Sequence, residues 1–268
     1  MSDRQRTPTA LFLLAILLSV VQWAPAWGFF AAVQFFILAA LWEFYNLARR
    51  RRLRPQRLIG LATALMISAS FLFPRFPLAL ALFLGLLAAG AYFLASVDSV
   101  EKLAVFPSGI ALTFFGAVYV ALPMNYLYWI RVGEGKDGIY FLFLVIFLGD
   151  TGAYLIGKTL GRHKMAPLAS PKKTWEGAVG GLVFALAGSV AVRFLLLPYI
   201  GLLAAASCGV VVHAVAQMSD PLESLFKRAA GVKDSSNLLP GHGGFLDRVD
   251  SFLLAAPFFY YFVRLFWK

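Results

Sequence analysis

Between residues 220 and 250 the chain reads DPLESLFKRAAGVKDSSNLLPGHGGFLDRVD, a strongly polar run with apolar sequence on both sides. It carries the carboxylates Asp220, Glu223, Asp234, Asp247 and Asp250, and the cations Lys227, Arg228, Lys233 and Arg248. It also carries the hydroxyls of Ser224, Ser235 and Ser236, and His242 beside Gly243 and Gly244. A connector between membrane helices needs none of this. Carboxylates hold hard cations, lysines and arginines hold phosphates, and bare glycine backbone lets a phosphate come close. The combination suits a metal-bound phosphate compound at a membrane surface. Mg2+ takes one or two carboxylates together with substrate phosphates, and Asp220 and Asp247 can supply these from the two ends of the run. Pro221 is expected to stop a helix at Asp220, where the macrodipole opposes a carboxylate and a cation could compensate. Asp247 and Asp250, three apart, are expected to share a face at the start of the last helix; simple N-terminal capping is the alternative. Glu223 and Lys227 have the spacing of an ordinary helical ion pair. An ordinary glycine turn is the alternative for 242–244.

A second polar segment, SPKKTWEG at 170–177, puts Lys172 and Lys173 where they could neutralise a phosphate; the plainer reading is a cytoplasmic charge anchor. Ser170 and Pro171 look like an N-cap and the first helical residue. Asp150 lies in the apolar run IFLGDTGAY. A carboxylate there costs roughly a few kcal/mol, so it is expected to face a polar cavity or to pair with a cation. Gly152–Thr159 fits the spacing of a phosphate-binding P-loop, but that loop needs a strand before it and a helix after it. Apolar residues fill the variable positions here, and the match reads as chance.

The elements that must position these groups are membrane helices. Of 268 residues, 60% are hydrophobic and 14% charged, with a mean hydropathy of +0.77. These values exclude a soluble globular domain. The sequence predicts an all-α polytopic integral membrane protein with about nine transmembrane helices. The expected spans are 10–24, 28–48, 58–73, 78–97, 103–120, 139–156, 177–197, 201–218 and 249–267. Between the fifth and sixth lies a semi-polar connector bearing Tyr126, Tyr128 and Trp129. The chain divides into N-terminal transmembrane helices (1–100) and a C-terminal catalytic region (101–268) with polar loops at 157–176 and 219–248. With the N-terminus cytoplasmic, 18 of the 24 lysines and arginines face inside, and so do both polar loops. The net charge of +11 then reflects topology and anionic headgroups, not nucleic acid. The arginines between 49 and 57 are read chiefly as a topology anchor. The N-terminus imitates a signal peptide, but an uncleaved helical hairpin is expected because the next span follows almost at once. The single cysteine, Cys208, excludes an intrachain disulfide and is expected to be a buried thiol.

From Ser224 to Asp250 the spacing S-x-FKR-x4-KD-x-S-x2-LP-x-HGGF-x-DRVD resembles the signature of phosphatidate cytidylyltransferases, the CDP-diacylglycerol synthases. SPKKTWEG is similar to a segment of the same family, and length and many-span architecture agree. One departure is Ser219, where the family usually has glycine. The resemblance implies the reaction of CTP with phosphatidic acid to give CDP-diacylglycerol and pyrophosphate with Mg2+; membrane lipids and a homodimer are further expected partners. It implies that Asp220 and Asp247 hold the metal, with Asp250 in support. Lys227, Arg228, Lys233 and Arg248 would hold phosphates. Lys172 and Lys173 would take the CTP triphosphate or the lipid phosphate, and His242 would donate to the leaving group. Ser224, Gly243 and Gly244 complete the expected site. Charge pattern and size point to a bacterial inner membrane. A CTP-dependent lipid kinase and a transporter using Asp150, Asp220 and Asp247 are the alternatives.

Overall fold

Inside a bilayer every backbone N–H and C=O must be satisfied within the protein, so long apolar runs become helices. The computed structural model describes residues 6–239, 241 and 243–267, with side chains from Leu14 onward. His242 lies outside the described residues. The elements are α1 (Arg6–Trp23), α2 (Ala26–Arg50), α3 (Arg57–Leu72), α4 (Leu78–Ser96), α5 (Val100–Gly133) and α6 (Gly135–Leu160). A hairpin of β1 (Lys164–Ala166) and β2 (Ser170–Thr174) follows, then α7 (Trp175–Leu196), α8 (Leu202–Ala229) and α9 (Leu246–Phe266).

Among the described residues seven helices are long and apolar enough to cross a membrane. At 16 residues α3 spans about 24 Å, short of the roughly 30 Å hydrocarbon core. Within α1 the stretch whose side chains are described, Leu14–Trp23, is likewise a shorter apolar helix. Large apolar side chains point outward, with Leu94 87% and Leu203 82% exposed. Water would not tolerate so much apolar surface, and lipid does.

Two compact units make up the chain. One is Met1–Tyr128 with Ala229–Val249, the other Trp129–Arg228 with Asp250–Lys268. In the first, α2 buries Ile37, Leu41 and Tyr45, and the Tyr45 hydroxyl donates to the Thr113 carbonyl at 2.6 Å. Asn125 accepts from Gln34 at 3.0 Å and donates to Ser68 at 2.9 Å, so this buried amide is paired. In the second, Phe141 stacks on Phe259 at 5.5 Å with Trp267 edge-on to both. Here α7 packs closely on α6. A Cβ on Gly177 would lie 2.8 Å from the Ala153 carbonyl oxygen, so only glycine permits this approach.

Several local expectations are corrected. The connector after residue 120 is helix: α5 runs through Pro107 and Pro123 to Gly133. Pro221 does not stop α8, which continues to Ala229. A membrane helix tolerates proline where neighbouring groups re-satisfy the freed carbonyl. Asp220 is therefore not at a helix C-terminus, and the macrodipole argument does not apply to it. Ser170 and Pro171 do not cap a helix; they lie in β2, where Ala166 pairs with Ser170 and Lys164 with Thr174. The cap of α7 is Thr174, whose hydroxyl accepts from the Gly177 N–H at 3.2 Å. The expected polar loops shrink accordingly. The first is largely helix and hairpin, and the second is the segment between Ala229 and Leu246.

Candidate active site

In the second unit α6, the hairpin, α7 and α8 enclose a cavity of about 610 Å³. Lys158, Lys164, Lys172 and Lys173 line it together with Asp150 and Asp220. The hairpin brings two of these lysines from β2 and one from β1. Glu176 ties the hairpin to α7: it accepts from the Arg162 N–H at 3.0 Å and meets His163 Nδ1 at 2.6 Å. On its far side Arg228 Nε donates to the Ala169 carbonyl at 3.3 Å, which joins the hairpin turn to the end of α8.

Asp220 meets Lys173 Nζ at 2.9 Å through one oxygen and accepts from Ser224 Oγ at 3.3 Å through the other. Lys173 is thus one counter-charge for Asp220. Asp150 faces the same cavity, as expected for a carboxylate in an apolar run. Below it Gln217 donates to the Ala178 carbonyl at 3.0 Å. One turn earlier on α8, His213 is fully buried in the space left by Gly149 and Gly181.

Lys227 lies outside this cavity: it is buried and ion-paired with Glu223, one turn away on α8. Asp250 accepts from the Ser251 N–H at 2.7 Å, and its carbonyl accepts from Ser219 Oγ. Cys208 is a free buried thiol. The Gly152–Thr159 segment lies wholly within α6, and among the described residues no strand precedes it, which disposes of the P-loop spacing.

The first unit holds the rest of the polar segment. Asp247, in the first turn of α9, is buried. Its Oδ2 accepts from the Ser235 N–H at 2.9 Å and the Gly244 N–H at 2.8 Å, and it lies 2.7 Å from Ser235 Oγ. Gly243 has φ +77°, a conformation that favours glycine, and its carbonyl accepts from the Leu239 N–H at 3.0 Å. A side chain on Gly244 would run into Glu43 and Ser235. Lys233 lines a separate cavity of about 660 Å³ with Arg50, Asn46, Trp42 and Glu43. Arg248 is exposed. Asp220 and Asp247, the expected metal pair, belong to different units.

Sequence reasoning missed Lys158 and Lys164 as cavity residues, because their place depends on how the hairpin folds back. It also missed Glu43. A carboxylate inside the apolar run of α2 was the available signal, the same one that singled out Asp150.

Residues 4–266 match the cytidylyltransferase family. Proteins called phosphatidate cytidylyltransferase are similar over 147 residues. That from Staphylococcus saprophyticus subsp. saprophyticus is 43% identical, that from Staphylococcus haemolyticus 40% and that from Staphylococcus epidermidis 39%. In each case the match covers 55% of this chain and 56% of the relative, so the chain spans little more than half the length of these proteins. The chain belongs to the cytidylyltransferase family.

Proposed function

We propose that this member of the cytidylyltransferase family transfers CMP from CTP to phosphatidic acid, giving CDP-diacylglycerol and pyrophosphate. One observation carries the reading. Four lysines and two aspartates converge on one cavity among membrane helices, which is the charge balance a triphosphate with a divalent cation requires. The name borne by the staphylococcal relatives supports the lipid substrate.

In this reaction an oxygen of the lipid phosphate attacks the α-phosphorus of CTP. A new P–O bond forms, the bond from the α-phosphorus to the bridging oxygen breaks, and pyrophosphate leaves with that electron pair. The nucleophile is already anionic, so the protein's task is positioning and charge neutralisation. Lys172 and Lys173, on one strand, grip the triphosphate, with Lys158 and Lys164 lining the same cavity. Gln217 and Thr174 line the cavity as neutral polar groups.

The donor set fits Mg2+. Asp150 and Asp220 offer carboxylate oxygens in one cavity, and Mg2+ needs only one or two of these beside substrate phosphates and water. Asp220 would hold the ion, with Asp150 as its neighbour. A metal role for Asp247, and roles for Asp250, Lys227, Arg228, Lys233, Arg248 and His242 toward the substrates, rest on the sequence pattern. When bound, Mg2+ would neutralise charge on the phosphates. The cytoplasmic placement of the site and a bacterial inner membrane rest on the charge asymmetry of the sequence.

Lysine accessibility tests the site. Purified protein would be treated with an amine-acylating reagent, with and without CTP, and each lysine quantified by mass spectrometry. CTP is expected to protect Lys158, Lys164, Lys172 and Lys173 but not Lys136, which does not line the cavity. Equal labelling of the four with and without saturating CTP contradicts the assignment.

A further inference from the structure

Glu43 is the least expected charged residue in the first unit. It lies in the middle of an apolar stretch of α2 and is 1% exposed. Among the described residues no lysine, arginine or histidine is ion-paired with it. A buried carboxylate in that position is tolerated only if hydrogen-bond donors replace its water. Four do so, and they come from both ends of one loop. Glu43 Oε2 accepts from Ser235 Oγ and from the Leu246 N–H, both at 2.8 Å. Glu43 Oε1 accepts from Ser236 Oγ at 2.6 Å and from the Phe245 N–H at 3.1 Å. Each oxygen therefore clasps one group on the incoming side of the loop and one on the outgoing side.

The same Ser235 gives its N–H to Asp247 Oδ2, and its hydroxyl oxygen, whose one proton serves Glu43, lies 2.7 Å from that oxygen. The contacts run from Glu43 through Ser235 to the Asp247 carboxylate. Gly244 belongs to the arrangement: it gives its N–H to Asp247, and any side chain there would displace Glu43 or Ser235. Phe245 packs edge-on against Phe35 and Phe36 of α2, at 5.3 and 5.6 Å, so an apolar contact fixes the loop on the same helix.

From this geometry we infer that Glu43 is a positioning residue: it clamps the 235–246 loop to α2 and thereby orients the Asp247 carboxylate. The inference rests on the proposed function only for the task that Asp247 performs. The clamp itself is a property of the fold. Charge-assisted hydrogen bonds at both ends of a loop fix those ends without needing a core of their own.

Hydrogen–deuterium exchange on the full chain in detergent tests the clamp, with Glu43→Gln and Glu43→Ala beside wild type. Glutamine keeps one accepting oxygen but turns an NH2 toward two donors, so it should stand between wild type and alanine. Exchange in the peptide covering 243–248 is expected to rise at least about tenfold in Glu43→Ala, while α6 and α7 peptides stay at wild-type rates. The Mg2+ half-saturation of liponucleotide formation is expected to rise about tenfold, with a smaller change in the limiting rate. Tyr45→Phe, which removes a hydrogen bond from the same helix outside the loop, should leave the 243–248 peptide unchanged. If Glu43→Ala does not fold, Ser236→Ala removes one of the four donors without touching Asp247 and must give a smaller rise in the same peptide. Wild-type exchange at 243–248 in a folded Glu43 variant, or a rise spread evenly over the chain, overturns the inference. If wild type makes no liponucleotide, the proposed function fails and the exchange pattern still decides the clamp.

Discussion

Replacing Lys173 by methionine should move two affinities in opposite directions. Lys173 Nζ stands 2.9 Å from Asp220, with the two side chains 28% and 33% exposed. At that distance two unit charges attract by about 6 kcal/mol at an effective dielectric of 20. Solvent screening and side-chain entropy reduce the net worth of such a half-exposed pair to about 1 kcal/mol. A divalent cation arriving at Asp220 must displace or share this lysine, so its removal should tighten cation binding about fivefold. The triphosphate loses a charged donor in the same substitution. A hydrogen bond to a charged group contributes about 1.5–3 kcal/mol, which corresponds to roughly 10- to 150-fold weaker CTP. Two assays separate the effects. Mn2+ binding to nucleotide-free protein, followed by electron paramagnetic resonance, reads the cation. CTP half-saturation at saturating Mg2+ reads the nucleotide. Lys172→Met, which has no ion pair among the described residues, should weaken CTP without tightening Mn2+. If Lys173→Met weakens both ligands, or changes neither, the account of Lys173 as a counter-charge for Asp220 is wrong.

Thr174→Ala removes the hydroxyl cap of α7 and should cost about 1 kcal/mol of stability, read as a lower midpoint of thermal unfolding in detergent. Gly244→Ala puts a methyl against Glu43 and Ser235, an overpacking expected to cost about 1–3 kcal/mol and to raise exchange in the adjoining loop. Glu176→Gln weakens the bonds that tie the hairpin to α7, and CTP half-saturation should rise severalfold while the fold persists. Chelation of divalent cations should abolish turnover, with recovery on addition of Mg2+.

The helices were legible because apolar runs near the length of a bilayer have few alternatives in lipid. Their ends were harder to read. Pro221 and Pro123 suggest breaks in a soluble helix, yet α8 and α5 pass through both. The polar segment was visible from its density of charge, but its internal partnerships were not. Lys173 and Asp220 are 47 positions apart, and only the folding of β2 against β1 and α7 brings them within 2.9 Å. Ser170 and Pro171 carried a good capping pattern, and strand pairing with Lys164–Ala166 overrode it. Spacing alone suggested that Glu223 and Lys227 would pair, and they do. Glu43 shows how a site can recruit a residue far outside its motif. It sits nearly 200 positions before the loop it clasps, and nothing in the local sequence names its partners.

If the proposed function is right, this chain moves CMP, and no other part of CTP, onto phosphatidic acid. The most direct measurement follows two labels at once. Purified protein would receive phosphatidic acid, Mg2+ and CTP labelled on either the α- or the γ-phosphorus, with Asp220→Asn as control. The account predicts α-label in a liponucleotide and γ-label in pyrophosphate, in equal amounts, with both lost in the variant. Transfer of the γ-label to lipid with release of CDP would contradict it and identify a lipid kinase. Absence of either product from folded wild-type protein would contradict it as well.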